Sequence, residues 1–191
     1  MPRKYSHLPP IDGTDVCLHW AVMEPGSVAE AVDAFTGRND PPLYVVTVGT
    51  PDGELSGCLA GFVTQCSISP PRFLICLSKL NHTYGVGARS ATVALHLLGR
   101  DQLDLASLFA ERTGDTFDKF EHCRWGLRGG EAPVLEACAA WLRGPILDRF
   151  DVGDHEALLM SPTDGGAGGA DGLLTLQGIP RDLHPGHPAE P

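Results

Sequence analysis

No uninterrupted apolar run in this chain approaches the roughly 20 residues that a membrane-spanning helix needs. No basic run is present either. Against 24 Asp and Glu stand only 14 Lys and Arg, a formal net charge of -10 at pH 7. So acidic a chain repels phosphate backbones and anionic headgroups, which argues against nucleic acid and membrane surfaces as partners. The six cysteines form no C-x-x-C pair and lack the density of a secreted disulfide scaffold. Cys58, Cys66 and Cys76 sit in β-rich apolar runs, where a thiol is expected to act as a small core hydrophobe. The strong catalytic signatures are also missing: there is no Walker P-loop, no G-x-S-x-G elbow, no H-E-x-x-H and no dinucleotide glycine fingerprint. The opening M-P-R-K-Y-S leads into Pro, Asp and Gly instead of an apolar stretch, so no secretory signal is visible and a cytoplasmic protein is expected.

What is plentiful is punctuation. With 23 Gly and 16 Pro, about a fifth of the 191 residues are turn-formers, against a usual share of roughly 12%. That composition predicts many short elements within one domain flanked by tails. A short strand is expected at residues 16–22. Residues 27–35 read as a small amphipathic helix, with Ser27 as N-cap, Glu30 completing a capping box and Gly37 as the stop. After Pro41-Pro42 the chain turns β-branched. A meander is expected through residues 43–78, with a turn at Pro51-Asp52-Gly53-Glu54. Further strands are expected at 91–98, 134–150 (one long or two short), 155–160 and 173–177, with a helix at 103–111 capped by Asp101 and a helical turn at 117–120. The glycine-rich residues 165–170 read as a flexible loop. Six or so strands with a few small helices predict a mainly β, barrel-like fold.

Three segments carry residue types suited to an anionic aromatic ligand. In residues 56–71 (S-G-C-L-A-G-F-V-T-Q-C-S-I-S-P-P), small residues let a planar molecule approach main-chain amides. Residues 78–84 (S-K-L-N-H-T-Y) follow a strand and offer Lys79, Asn81, His82 and Thr83 as donors for a phosphate. Residues 151–155 (D-V-G-D-H) put His155 at the start of a strand, where an imidazole can donate hydrogen bonds or carry charge. Taken singly, each also fits a structural role: a glycine-kinked barrel corner, a solvated loop, a turn-side histidine. His184 and His187 have H-x-x-H spacing, but in a Pro-rich tail that reads as a mobile end rather than a metal site.

In this order and with these gaps, the segments resemble the flavin reductase-like family. The resemblance covers roughly residues 40–160. It takes in V-V-T-V at 45–48 with Thr47, G-x-x-A at 57–60, S-x-S-P-P at 67–71, A-x-H-L-L at 94–98, D-K-F at 118–120, A-P-V-L at 132–135 and G-D-H at 153–155. It implies a six-stranded, Greek-key FMN-binding split barrel over residues 41–178, preceded by an N-terminal extension (1–40) and followed by a flexible tail (179–191). It further implies NAD(P)H-dependent reduction of FMN or FAD with NADH or NADPH as hydride donor, a homodimer, and service to a partner monooxygenase. Position by position, Leu59, Ala60, Gly61 and Phe62 would face the flavin ring through main-chain N–H groups. Thr47 would belong to the same cofactor site. Asn81, His82 and Thr83 would meet the ribityl phosphate, and His155 would lie near the flavin face or the nicotinamide as the catalytic side chain. The chain departs from the family in two places. Many relatives carry hydroxyl side chains where Leu59, Gly61 and Phe62 stand, and often an arginine at His82, for which Lys79 would compensate. The departures keep open an alternative, a flavin-binding carrier or sensor module without turnover.

Overall fold

The computed structural model describes residues 27–180 and Leu183; the strand expected at residues 16–22, His184 and His187 lie outside them. Helix α1 (Val28–Thr36) begins at the expected capping box: Ser27 Oγ accepts from the Glu30 N–H, and the Glu30 carboxylate accepts from the Ser27 N–H at 2.8 Å. The described chain divides after Asn39, with α1 in the first unit and all that follows in the second.

The second unit is built on strands β1 (Tyr44–Gly49), β2 (Leu55–Ala60), β3 (Val63–Ile68), β4 (Pro71–Ser78), β5 (Thr92–Leu97), β8 (Ala140–Asp151) and β9 (His155–Met160). They pair antiparallel in the order β2-β1-β5-β8-β9-β4-β3, with β10 (Asp164–Ala167) added along β8. Two short strands, β6 (Trp125–Leu127) and β7 (Pro133–Leu135), make a separate hairpin. Strand β8 joins the two ends of the sheet: residues 140–145 pair with β5 and residues 146–151 with β9, and the register shifts between Ile146 and Asp148. At this hand-over the backbones nearly touch, for a Cβ on Gly144 would stand 1.8 Å from the Ser161 carbonyl oxygen.

Alternation then decides the packing. Val46 and Val48 of β1 and Cys58 and Ala60 of β2 share one core with Ile75 and Leu77 of β4, which lie at the opposite end of the strand order. The sheet therefore curls over a common interior, the barrel-like arrangement expected, and helix α2 (His82–Gly87) supplies Val86 to it. The other face of β1, through Val45, packs on a second cluster with Phe109 of helix α3 (Leu103–Glu111), Phe120, Leu135 and Leu174. Burial on both faces explains the continuous V-V-T-V run.

Several expectations need correction. Ten strands occur among the described residues where six or so were expected; residues 55–68 split at the Gly61-Phe62 turn, and of the two readings open for 134–150 the chain takes two strands, β7 and β8. Residues 165–170 are not a free loop. Gly165 and Gly166 belong to β10, where a side chain would run into Leu142 and Trp141 at 2.8 and 2.7 Å, so glycine is what lets the strand pair. Helix α3 is preceded by Gln102 rather than capped by Asp101; the Gln102 side chain instead accepts from the Gly99 N–H. The turn at 117–120 is a 3-10 helix over Lys119–His122. Residues 173–177 contribute two isolated bridges and no full strand. Cys58 is buried as expected, whereas Cys66 faces solvent on the edge strand β3.

Candidate functional site

Among the described residues, strand β2 closes one end of the sheet and pairs only with β1. In an antiparallel pair alternate residues bond across the ladder and the others turn away. The Thr50 N–H donates to the Glu54 carbonyl, and the Gly57 carbonyl accepts from Lys119 Nζ at 2.8 Å, outside the sheet. Even-numbered positions therefore bond to β1, and the main-chain groups of Leu55, Gly57 and Leu59 face the open edge. Two grooves run along that edge.

The first, about 410 Å³, is fronted by Cys58, Leu59, Ala60, Gly61 and Phe62. Its volume falls in the roughly 300–1,000 Å³ range of small-molecule sites. Leu43, Leu77, Leu176 and Ile179 make it apolar, and Ser78, Asn81, Asp154 and His155 supply polar groups. Phe62 is 66% exposed at the mouth, its ring tilted against that of His155 with centroids 5.4 Å apart. His155 Nδ1 lies 2.9 Å from Asp154 Oδ1, a hydrogen bond that holds the Asp154 carboxyl below its ordinary pKa. The Asn81 side-chain oxygen accepts from the Thr83 N–H and caps α2, which leaves its amide NH2 to donate. A carbon at Gly61 would meet nothing nearer than Leu43 Cδ2 at 3.7 Å, so the turn has room for a small side chain.

The second groove, about 530 Å³, is fronted by residues 53–57 together with His82 and residues 114–121. His82 Nδ1 sits 3.0 Å from Ser56 Oγ, while its Nε2 lies 3.9 Å from Glu54 and 3.8 Å from Asp115. Gly114 must be glycine-sized here, since a Cβ would come within 2.5 Å of the ring. Lys119 is 5% exposed and donates to the Gly57 and Phe109 carbonyls. Burial pushes its amine below the ordinary lysine value and pushes the neighbouring Cys58 thiol up.

The structure thus brings Leu59, Ala60, Gly61, Phe62, Asn81 and His155 around one groove. The others named from the sequence lie apart from it. Thr47 is fully buried and donates to the Pro133 carbonyl. Thr83 is buried with its hydroxyl 3.0 Å from Ser56 Oγ. His82 faces the second groove. Lys79 Nζ lies 3.0 Å from Asp151 and donates to the Gly153 carbonyl, tying its strand end to the β8–β9 turn. Sequence reasoning missed the floor from Leu176 and Ile179, which lie beyond the segments that carry the resemblance. It also missed Lys119, present only as the centre of D-K-F.

A model of the flavin reductase like domain matches residues 36–178, and the chain belongs to that family. The stachydrine N-demethylase reductase subunit Stc3 of Rhizobium meliloti is 27% identical over 157 residues, 82% of this chain and 65% of that protein. The NADH:riboflavin 5'-phosphate oxidoreductase of Streptomyces pristinaespiralis is 29% identical over 123 residues, 64% of this chain and 69% of its own. Among solved structures, the NADH:FAD oxidoreductase SgcE6 of Streptomyces globisporus superposes with a TM-score of 0.72 at 26% identity, covering 82% of this chain and 94% of that one. The chain spans between 41% and 65% of the length of three of the curated relatives it matches.

Proposed function

We propose that this chain is an NAD(P)H-dependent flavin reductase that accepts FMN or FAD at the groove on the open edge of β2. The observation that carries the reading is that groove's donor set: an apolar slot bordered by the outward main chain of Leu59, with the Asn81 amide and His155 at its rim. Such a slot suits a planar heteroaromatic ring whose edge carries hydrogen-bonding atoms. Bound flavin supplies the redox chemistry by accepting a hydride from the nicotinamide. The chain's residues bind and orient: main-chain donors hold the ring edge, Leu43 and Leu77 exclude water from its inner face, and the His155 imidazole, steadied by Asp154 and Phe62, sits where a nicotinamide would approach. No protein nucleophile is needed, consistent with the missing catalytic signatures.

A relative named as the reductase component of a flavin-dependent trigonelline monooxygenase supports the further proposal that the reduced product serves a partner monooxygenase. A homodimer fits the exposed apolar Phe62, Ile68 and Phe150. A cytoplasmic setting fits the unpaired thiols among the described residues, in which no helix is long and apolar enough to cross a membrane. The test is NADH or NADPH consumption by purified protein given FMN or FAD; a rate no higher than flavin alone refutes the proposal. The exposed Phe62 at the groove mouth favours one second reading, a flavin-binding module without turnover. A yellow protein whose spectrum ignores added NAD(P)H would select it.

A further inference from the structure

An imidazole points its two nitrogens in different directions, and a proton held on one decides what the other can do. At His155 the first nitrogen is already engaged. Nδ1 lies 2.9 Å from Asp154 Oδ1, and that carboxyl is held below its ordinary pKa, so it is ionised and can only accept. Nδ1 therefore carries the hydrogen. Nε2 has no protein partner among the described residues, and the ring lines the groove on the open edge of β2. In the neutral ring Nε2 is a bare acceptor there. The carboxylate, in turn, is placed by the turn that bears it. Ser78 at the end of β4 stands opposite His155 at the start of β9, and the next residue, Lys79, clasps residues 151–154. Its main-chain N–H donates to the Asp154 carbonyl at 2.9 Å, and its Nζ to the Gly153 carbonyl at 2.6 Å. The same amine lies 3.0 Å from Asp151 Oδ2, while Asp151 Oδ1 accepts from the Gly153 N–H at 3.0 Å. On the other flank, Phe62 tilts its ring against the imidazole with centroids 5.4 Å apart.

We propose that Asp154 and Lys79 are positioning residues, which present Nε2 of His155 as a hydrogen-bond acceptor to the carboxamide NH2 of the nicotinamide. The proposal rests on the flavin reductase reading above and adds which feature of the hydride donor the groove recognises. A donor with an acetyl group in place of the amide keeps the dihydropyridine ring and the carbonyl and loses only this contact. One such hydrogen bond is worth about fivefold in kcat/KM.

The experiment compares kcat/KM of the purified full chain for NADH and for its 3-acetylpyridine analogue, and follows the ratio of the two across variants. Comparing ratios cancels the analogue's own reactivity, and loss of folded protein lowers both rates alike. Asp154→Ala should lower the NADH-to-analogue ratio by about fivefold, as should His155→Ala, with no further fall in the double variant. Lys79→Met should lower it too, and Lys79→Arg should restore it. Proton–nitrogen NMR of the chain labelled with 15N-histidine, with His155→Gln identifying the signal, should place the proton on Nδ1 and leave Nε2 bare. A ratio unmoved by Asp154→Ala or Lys79→Met, or a protonated Nε2, overturns the proposal, while NADH consumption leaves the flavin reading intact. No NADH or NADPH consumption with either flavin overturns that reading and the proposal with it.

Discussion

His96 stands at the centre of the A-x-H-L-L motif and touches no groove. It is fully buried, with Nδ1 2.9 Å from the Val45 carbonyl and Nε2 accepting from the Leu135 N–H. That pair of bonds requires the neutral ring protonated at Nδ1, and burial brings its pKa down from 6.5 to about 4. Unfolded, the ring takes up a proton below about pH 6.5; folded, it does not until about pH 4. The unfolded state thus binds more protons in that window, and stability must fall as pH drops through it, by about 3 kcal/mol in total. Thermal melts from pH 7.5 to 4.5 should show the decline, and His96→Gln should flatten this part of the profile. At the groove, His155→Ala should lower NAD(P)H turnover by about tenfold or more while moving the flavin dissociation constant far less; equal losses in the two measurements would contradict a nicotinamide-side role. Lys119→Met strips the donor from the buried Gly57 and Phe109 carbonyls. It should cost about 1–3 kcal/mol in denaturant unfolding.

At the scale of elements, the sequence showed best where pattern and punctuation agree. The capping box of α1 and the helix at 103–111 are read directly, and the doubly buried β1 follows from an unbroken β-branched run. Helix α2 was not legible, because H-T-Y-G-V-G with two glycines looks like a loop. It forms because the Asn81 side chain caps it by accepting from the Thr83 N–H and because Val86 is buried in the barrel core. That helix in turn aims His82 away from the groove assigned to it. That residues 59–62 line one groove was legible, since this depends on small residues at a strand end. The side-chain part of the site was not, because the partners of Lys79 and His82 come from distant segments at Asp151 and Asp115. One strand makes a sharp prediction here. Gly144→Ala would drive a methyl group into the Ser161 carbonyl and should cost about 3 kcal/mol or more, seen as a large drop in Tm.

For the whole molecule, light scattering should report a particle of twice the 20.3 kDa chain mass if exposed Phe62, Ile68 and Phe150 are covered by a second copy. A monomeric result would refute the homodimer. The β5-to-β9 hand-over on β8 bears on how the protein comes apart. Because a single length of backbone is laced into both flanks of the sheet, neither flank can be peeled off while the other stays intact. Amide protons on Val93 and on Leu158, one on each side of that seam, should therefore exchange with deuterium at a common, slowest rate, as stitches drawn by the same thread.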